Sequence, residues 1–262
     1  MNKNLLKVVI NFFAGVLIVS SALMYFPTLS NKSAEATDIG NIGDAIRNYK
    51  YEEISVDSED PVVSEKEVIE TEKMLNEDGN SVQIEKNASS LIMITQNEKT
   101  TEPAVYVSEH KIIGENIKDS SSLSIVYNQK GEILKKMTLL GSQMNDDIRV
   151  QYYVNAEKKI NMVVDTEGTI ISGESFSDGI ATKLNAGKEN SRNKRSVASW
   201  GSCMGSCLKS KGVESWVISA VTTLCSLGCF LTAGAGCIGC IVAAAAMKGS
   251  QASTCAVSCA GK

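Results

Sequence analysis

Histidine is almost missing from this chain of 262 residues: there is 1, His110. A single imidazole removes Ser-His-Asp triads and His-rich metal sites from the candidate chemistries. It has no recognisable partner in the sequence, so it is expected to be exposed. Cysteine is absent from the first 202 residues, and all 8 lie in the last 60. Proline (3) and aromatics (5%) are scarce. An excess of positive charge is also lacking: the net charge is -4, which argues against a nucleic-acid binder, since that needs a basic face for phosphates. What is present is ordinary in amount. Charged residues make up 21% and hydrophobic residues 43%, enough for one or two packed domains and unlike a disordered polyelectrolyte.

These averages hide three compositional blocks. Residues 1–36 open with Lys3 and Lys7, continue through an uncharged run from Val8 to Phe26, and reach Pro27 and then Ala34-x-Ala36. A basic start, an apolar core and small residues at the end predict a signal peptide cut by signal peptidase after Ala36. The alternative is an uncleaved anchor, because the run could span a bilayer. Either way the remainder is expected outside the cytoplasm: secreted, or in the cell envelope if the signal stays. No Cys sits near the run, which excludes a lipoprotein anchor.

Residues 37–195 hold 19 Lys+Arg and 28 Asp+Glu, a net -9. To about Gln96 the sequence is polar and weakly patterned. Ser64-Glu65-Lys66-Glu67 has capping-box spacing and predicts one helix to Asn76, with Val68, Ile69 and Leu75 on one side. From about residue 90 short β-branched runs follow: Leu91–Ile94, Val105–Val107, Leu123–Tyr127, Ile133–Leu134, Val150–Val154, Ile160–Val164 and Thr169–Ile171. Turn formers separate them at Asn128–Gly131, Asn155–Lys158 and Asp165–Gly168, with Gly131 and Gly168 in left-handed closing positions. The spacing predicts an antiparallel meander of five to seven strands over about 90–175. Asp146-Asp147 reads as a solvated loop rather than a metal pair. Gly173-Glu174-Ser175-Phe176-Ser177 only superficially resembles a nucleophile elbow. No pair of groups has a spacing that chemistry demands, so neither an enzyme nor a cofactor is expected.

From Asn185 to Ser199 the chain is predicted to be an exposed linker, open to proteases. Its dibasic step, Lys194-Arg195, is the expected cut for a processing protease.

Residues 196–262 carry 4 Lys and 1 Glu, a net +3. The 33 residues between Glu214 and Lys248 have no charge. They suit either a short helical hairpin in a bilayer, with Lys209, Lys211 and Lys248 at headgroups, or the core of a small soluble helical domain. The cysteines are Cys203, Cys207, Cys225, Cys229, Cys237, Cys240, Cys255 and Cys259, mostly as C-x3-C pairs. An even count in an exported chain predicts disulfides. Residues four apart share a helix face, which suits staples better than a zinc knuckle. Two helices in an antiparallel hairpin would pair Cys203 with Cys229 and Cys207 with Cys225. By the same logic Cys237 pairs with Cys259 and Cys240 with Cys255. Each bridge would stabilise by about 3 kcal/mol, help that a small core needs.

The expected fold class is thus α+β in several blocks: a signal helix, an antiparallel β-rich precursor domain, and a small disulfide-stapled all-α C-terminal domain. This layout, with Cys203-Met204-Gly205-Ser206-Cys207, Cys225-Ser226-Leu227-Gly228-Cys229, Cys237-Ile238-Gly239-Cys240 and Cys255-Ala256-Val257-Ser258-Cys259, resembles the halocin C-eight-like bacteriocin precursors. The resemblance covers residues 200–262 and the overall order of blocks, not the sequence of 37–195. The family's archetype has more cysteines, so its bridges do not carry over whole. The resemblance implies a secreted peptide acting on target-cell membranes, with residues 37–195 restraining it or giving self-immunity. The opposite charges of the two blocks fit that pairing. A second reading is a cell-envelope protein, with a β-rich binding module and a C-terminal membrane-anchoring or multimerising domain.

Overall fold

The structure is a computed structural model describing residues 49–54, 65–96, 105–177, 180–185, 196–231, 254–255 and 258–259. Within these, side chains 49–51, 96, 177, 185, 196–201 and 224–231 are not described. The expected signal segment with Ala36, Ser64 of the capping box, the Lys194-Arg195 step, Cys237 and Cys240 all lie outside the described residues.

Ten strands and three longer helices are present among the described residues. The strands are β1 (Tyr49–Ile54), β2 (Gln83–Ile84), β3 (Ser90–Gln96), β4 (Val105–Ile113), β5 (Ser122–Asn128), β6 (Ile133–Met144), β7 (Asp147–Val154), β8 (Glu157–Val164), β9 (Ile170–Ser177) and β10 (Ile180–Asn185). The helices are α1 (Glu65–Glu77), α2 (Ser196–Ser210) and α3 (Ser215–Leu231). The sheet runs β1-β3-β4-β5-β6-β7-β8-β9-β10, with β2 added beside β4, and its pairs are antiparallel. The expected meander is therefore there, but longer than five to seven strands, and it reaches Asn185 rather than ending near 175.

Turn chemistry sets the register. Asn128 Oδ1 accepts from the amides of Lys130 (2.9 Å) and Glu132 (3.0 Å), and Gly131 closes the turn at φ 77°. Asp165 Oδ1 accepts from the Thr169 amide at 2.7 Å, and Gly168 closes at φ 86°. The third turn is tighter than expected. Asn155 and Ala156 both have positive φ (48° and 69°), a two-residue reversal of the hand that suits strand twist, and Glu157 and Lys158 already belong to β8.

Period-2 alternation then divides the sheet into two buried faces. Ile92, Val107, Met137, Leu139, Val150, Tyr152, Ile160 and Met162 point to one face, which α2 and α3 cover. Leu91, Ile112, Leu123, Ile125, Leu140 and Tyr153 point to the other, under α1 and the β2 segment. The result is three layers, helix on sheet on helices.

On α1 the buried side chains are Val68, Thr71 and Leu75, whereas Ile69 is 51% exposed, so the expected apolar side is rotated. The reason is the strict spacing of three and four: Ile69 falls a full residue step away from the stripe. Gly79 (φ 85°) ends the helix, with the Asn80 amide bonded to the Leu75 carbonyl (3.1 Å) and the Gly79 amide to that of Asn76 (3.2 Å). Asp78 then joins helix to sheet, accepting from Tyr153 Oη, Lys158 Nζ and Gln151 Nε2. Burial acts to raise its pKa, but the hydrogen bonds from Lys158 and Tyr153 and the charges of Lys158 and Arg149 outweigh it and hold the carboxyl below its ordinary range.

His110 is 1% exposed, contrary to the expectation of an exposed side chain. Its Nδ1 lies 3.0 Å from the Glu85 carbonyl and its Nε2 3.2 Å from Ser108 Oγ. Glu85 is 25 residues away in sequence, and only the folding of the β2 segment over β4 brings it near. Burial pushes the imidazole pKa down, against the raising effect of backbone hydrogen bonds.

Candidate functional site: the docked cysteine hairpin

Helix α2 begins at Ser196, so the last residues of the expected linker are helical. Its end is fixed by Gly212 (φ 78°). The Val213 amide bonds to the Leu208 carbonyl (3.1 Å) and the Gly212 amide to that of Lys209 (3.0 Å). Val213 and Leu208 are both buried, completing the apolar contact that accompanies such a stop. The chain then enters α3, with Glu214 as the residue before its first turn.

The sheet receives this hairpin on a stripe from each helix: Met204 and Leu208 from α2, and Trp216, Val217, Ala220 and Val221 from α3, all within the same buried cluster as the sheet residues above. Trp216 lies directly over Gly141 of β6, where a Cβ would stand 2.7 Å from its Cη2. Glycine is required there by close approach, not by a positive φ. The indole N–H donates to Glu214 Oε2 at 2.9 Å, and Ser120 Oγ donates to Glu214 Oε1 at 2.6 Å. At the β8–β9 turn the Ser219 hydroxyl donates to the Gly168 carbonyl, and a Cβ on Gly168 would meet Ser215 O at 2.7 Å. Nothing in the sequence marks Gly141 or Ser120 as part of this seat, and Gly168 is expected there only as a turn residue, not as a contact of α3. Glu214 stands out as the one acid of its block.

Among the described residues, charge opposition between the blocks is not what seats the hairpin. Among the described residues the ionic contact across this interface is Lys118 with Glu214 at 4.0 Å, in which the base belongs to the acidic block and the acid to the basic one. Lys209 and Lys211 are exposed. Apolar burial does the holding.

Among the described residues two disulfides are present, Cys203–Cys259 and Cys207–Cys255, with Cα separations of 5.7 and 5.6 Å. Cys255 and Cys259 are fully buried in the interfacial cluster, and Cys203 and Cys207 pack against it. The bridges are nested, as expected of two C-x3-C pairs, but their partners differ from those expected. Neither Cys203 with Cys229, Cys207 with Cys225, Cys237 with Cys259 nor Cys240 with Cys255 is formed. The cause is the rotation of α2. At about 100° per residue, placing Met204 and Leu208 against the sheet turns Gly205 toward α3, where a Cβ would stand 3.5 Å from Ile218 Cγ2. Cys203 and Cys207 then face about 160–200° away from Gly205, toward the C-terminal segment. Ser258 Oγ also approaches Cys207 Sγ at 3.9 Å. Cys225 and Cys229 lie in α3, with side chains outside the description.

Among the described residues, Asp146-Asp147 and Gly173–Ser177 lie apart from this hairpin seat. Asp146 and Asp147 sit at the β6–β7 turn and the start of β7, and no cluster of three or more His, Cys, Asp or Glu able to hold a metal occurs among the described residues. Gly173–Ser177 is inside strand β9, where Ser175 Oγ donates to the Thr182 carbonyl at 3.5 Å. A nucleophile elbow needs a strand-to-helix turn instead. An open depression along β7–β10 is lined by Arg149, Asn161, Glu174 and Lys183, with Arg149 Nε donating to Asn161 Oδ1 at 3.0 Å. No described helix is long and apolar enough to cross a membrane. No family model, curated protein or solved structure matches the chain.

Proposed function

We propose that this chain is the precursor of a secreted antimicrobial peptide, of the kind its layout resembles in halocin C-eight-like bacteriocins, and not an enzyme. In this reading signal peptidase removes residues 1–36, a processing protease cuts at Lys194-Arg195, and the small bridged all-α peptide from Ser196 acts on the target-cell membrane. Residues 37–195 restrain it and are candidates for self-immunity. The observation that carries the reading is the identity of the buried stripe. Trp216, Val217, Ala220, Val221, Met204 and Leu208 are the apolar surface such a peptide would offer to lipid, and here that surface is seated on strands of the preceding block.

Intact mass spectrometry of culture medium tests it. The expected species starts near Ser196, and oxidised residues 196–262 should depolarise sensitive bacteria while the uncut chain does not. A full-size protein confined to the producer's membrane fraction would favour the second reading, an envelope protein with a β-rich binding module and an anchoring or multimerising terminus. The burial of sheet and hairpin in one cluster supports that alternative, because it gives the halves a reason to stay together.

A further inference from the structure

We propose that the sheet is also a template for disulfide pairing: residues 49–185 select Cys203–Cys259 and Cys207–Cys255 by dictating how α2 is rotated. In a hairpin without a sheet, Met204, Leu208, Trp216, Val217 and Val221 have only each other to bury against. Turning Met204 and Leu208 toward α3 would swing the Cys203/Cys207 stripe by about a quarter turn toward that helix, which carries its own C-x3-C pair. The sheet removes this option. It occupies the Met204/Leu208 stripe on α2 and the Trp216/Val217 stripe on α3 at once, so the helices meet through Gly205 and Ile218. The cysteine stripe is left facing Cys255 and Cys259, which are themselves buried in the cluster the sheet builds.

The chemistry is thiol–disulfide exchange with an external disulfide, small-molecule or protein-borne. One cysteine thiolate attacks the oxidant, giving a mixed disulfide and one released thiol. The partner thiolate then displaces the second, so two cysteine thiols and one disulfide become one bridge and two thiols. The sheet contributes no electrons; it sets which thiolate is within reach. The inference needs an oxidising compartment but not a killing activity, so an inert peptide would leave it standing.

The test is bridge mapping of the full chain, reduced and then reoxidised in a glutathione buffer. Wild type should return Cys203–Cys259 and Cys207–Cys255 as the dominant map under native conditions, and lose that dominance in concentrated urea. Gly141→Leu fills the seat of Trp216 from the sheet side, and Val217→Glu spoils docking from the hairpin side. Each should lose the two bridges in favour of mixed pairings, while the single His110, on the opposite face, keeps its folded NMR signals and reports an intact sheet. The proposal is overturned if either variant with native His110 signals closes both bridges at wild-type yield. It is equally overturned if they form at that yield in urea.

Discussion

The two faces of the sheet are covered by different means. On the α1 face the helix buries only Val68, Thr71 and Leu75, and polar links at both ends do much of the fastening: Glu67 with Lys136 at 2.6 Å, Glu72 with the Ile84 amide at 2.7 Å, and Asp78 with Tyr153 and Lys158. On the other face α2 and α3 bury a wide apolar stripe, with Glu214 and Ser219 as the main polar contacts to the sheet. Six side chains (Met204, Leu208, Val213, Trp216, Val217 and Val221), at about 1.5–3 kcal/mol each, give this face on the order of 10 kcal/mol of gross burial. The lesson concerns specificity against strength. Directional bonds fix one position for α1, while a broad apolar face holds the hairpin strongly through contacts that lipid could also supply.

The hairpin face depends most on Trp216. Trp216→Ala should cost about 3–5 kcal/mol, measured by urea unfolding, and should loosen the hairpin while leaving the His110 signals of the opposite face in place. Removing a bridge comes next. The double substitution Cys203→Ser with Cys259→Ser should destabilise by about 2–4 kcal/mol in thermal unfolding, with little effect on the α1 face.

A smaller loss, about 1–3 kcal/mol, is expected for Tyr153→Phe, which leaves Asp78 short of a donor. Asp78 also gives the α1 face an acid limb. Its carboxyl is held below the unfolded range, so its contribution is complete above the unfolded pKa near 3.8 and is lost as pH falls through the lower folded value. Asp78→Asn should flatten that limb in pH-dependent denaturation. His110 acts at higher pH with the same sign. Burial depresses the folded pKa, so the unfolded chain binds the extra proton and stability falls as pH drops below about 6.5. One imidazole makes this readable by NMR titration, and His110→Asn should remove the slope between pH 5 and 7. The least effect belongs to the exposed Lys66–Glu70 pair on α1: Lys66→Ala should change stability by less than about 0.5 kcal/mol.

Legibility followed burial pattern. β5, β7 and β8 are β-branched, alternating and bounded by Asn or Asp turns, so they stood out. β1 (YKYEEI) and β10 (IATKLN) lie at the ends of the strand order, and exposed Glu52, Glu53 and Lys183 hide their period. β6 extends ten residues past the expected Ile133–Leu134, a length hidden because Lys135-Lys136 and Gly141-Ser142 interrupt its apolar run. Gly141 is small because Trp216 lies on it, a contact across 75 residues that no local window contains. The burial of His110 is hidden from the sequence for the same reason, since its cover comes from Glu85 and the β2 segment.

Local signals in the sequence suffice for the existence of α1, from its capping-box spacing, for most of the meander, from alternation and turn residues, and for Cys203 and Cys207 sharing one face of α2. Those signals arise from neighbours a few residues apart. Only the tertiary structure decided which cysteines meet, that the hairpin buries its apolar stripe on the sheet, and that His110 is inside. Each depends on how an element is rotated against a distant surface, and that rotation is settled by packing between segments whose separation in sequence carries no pattern.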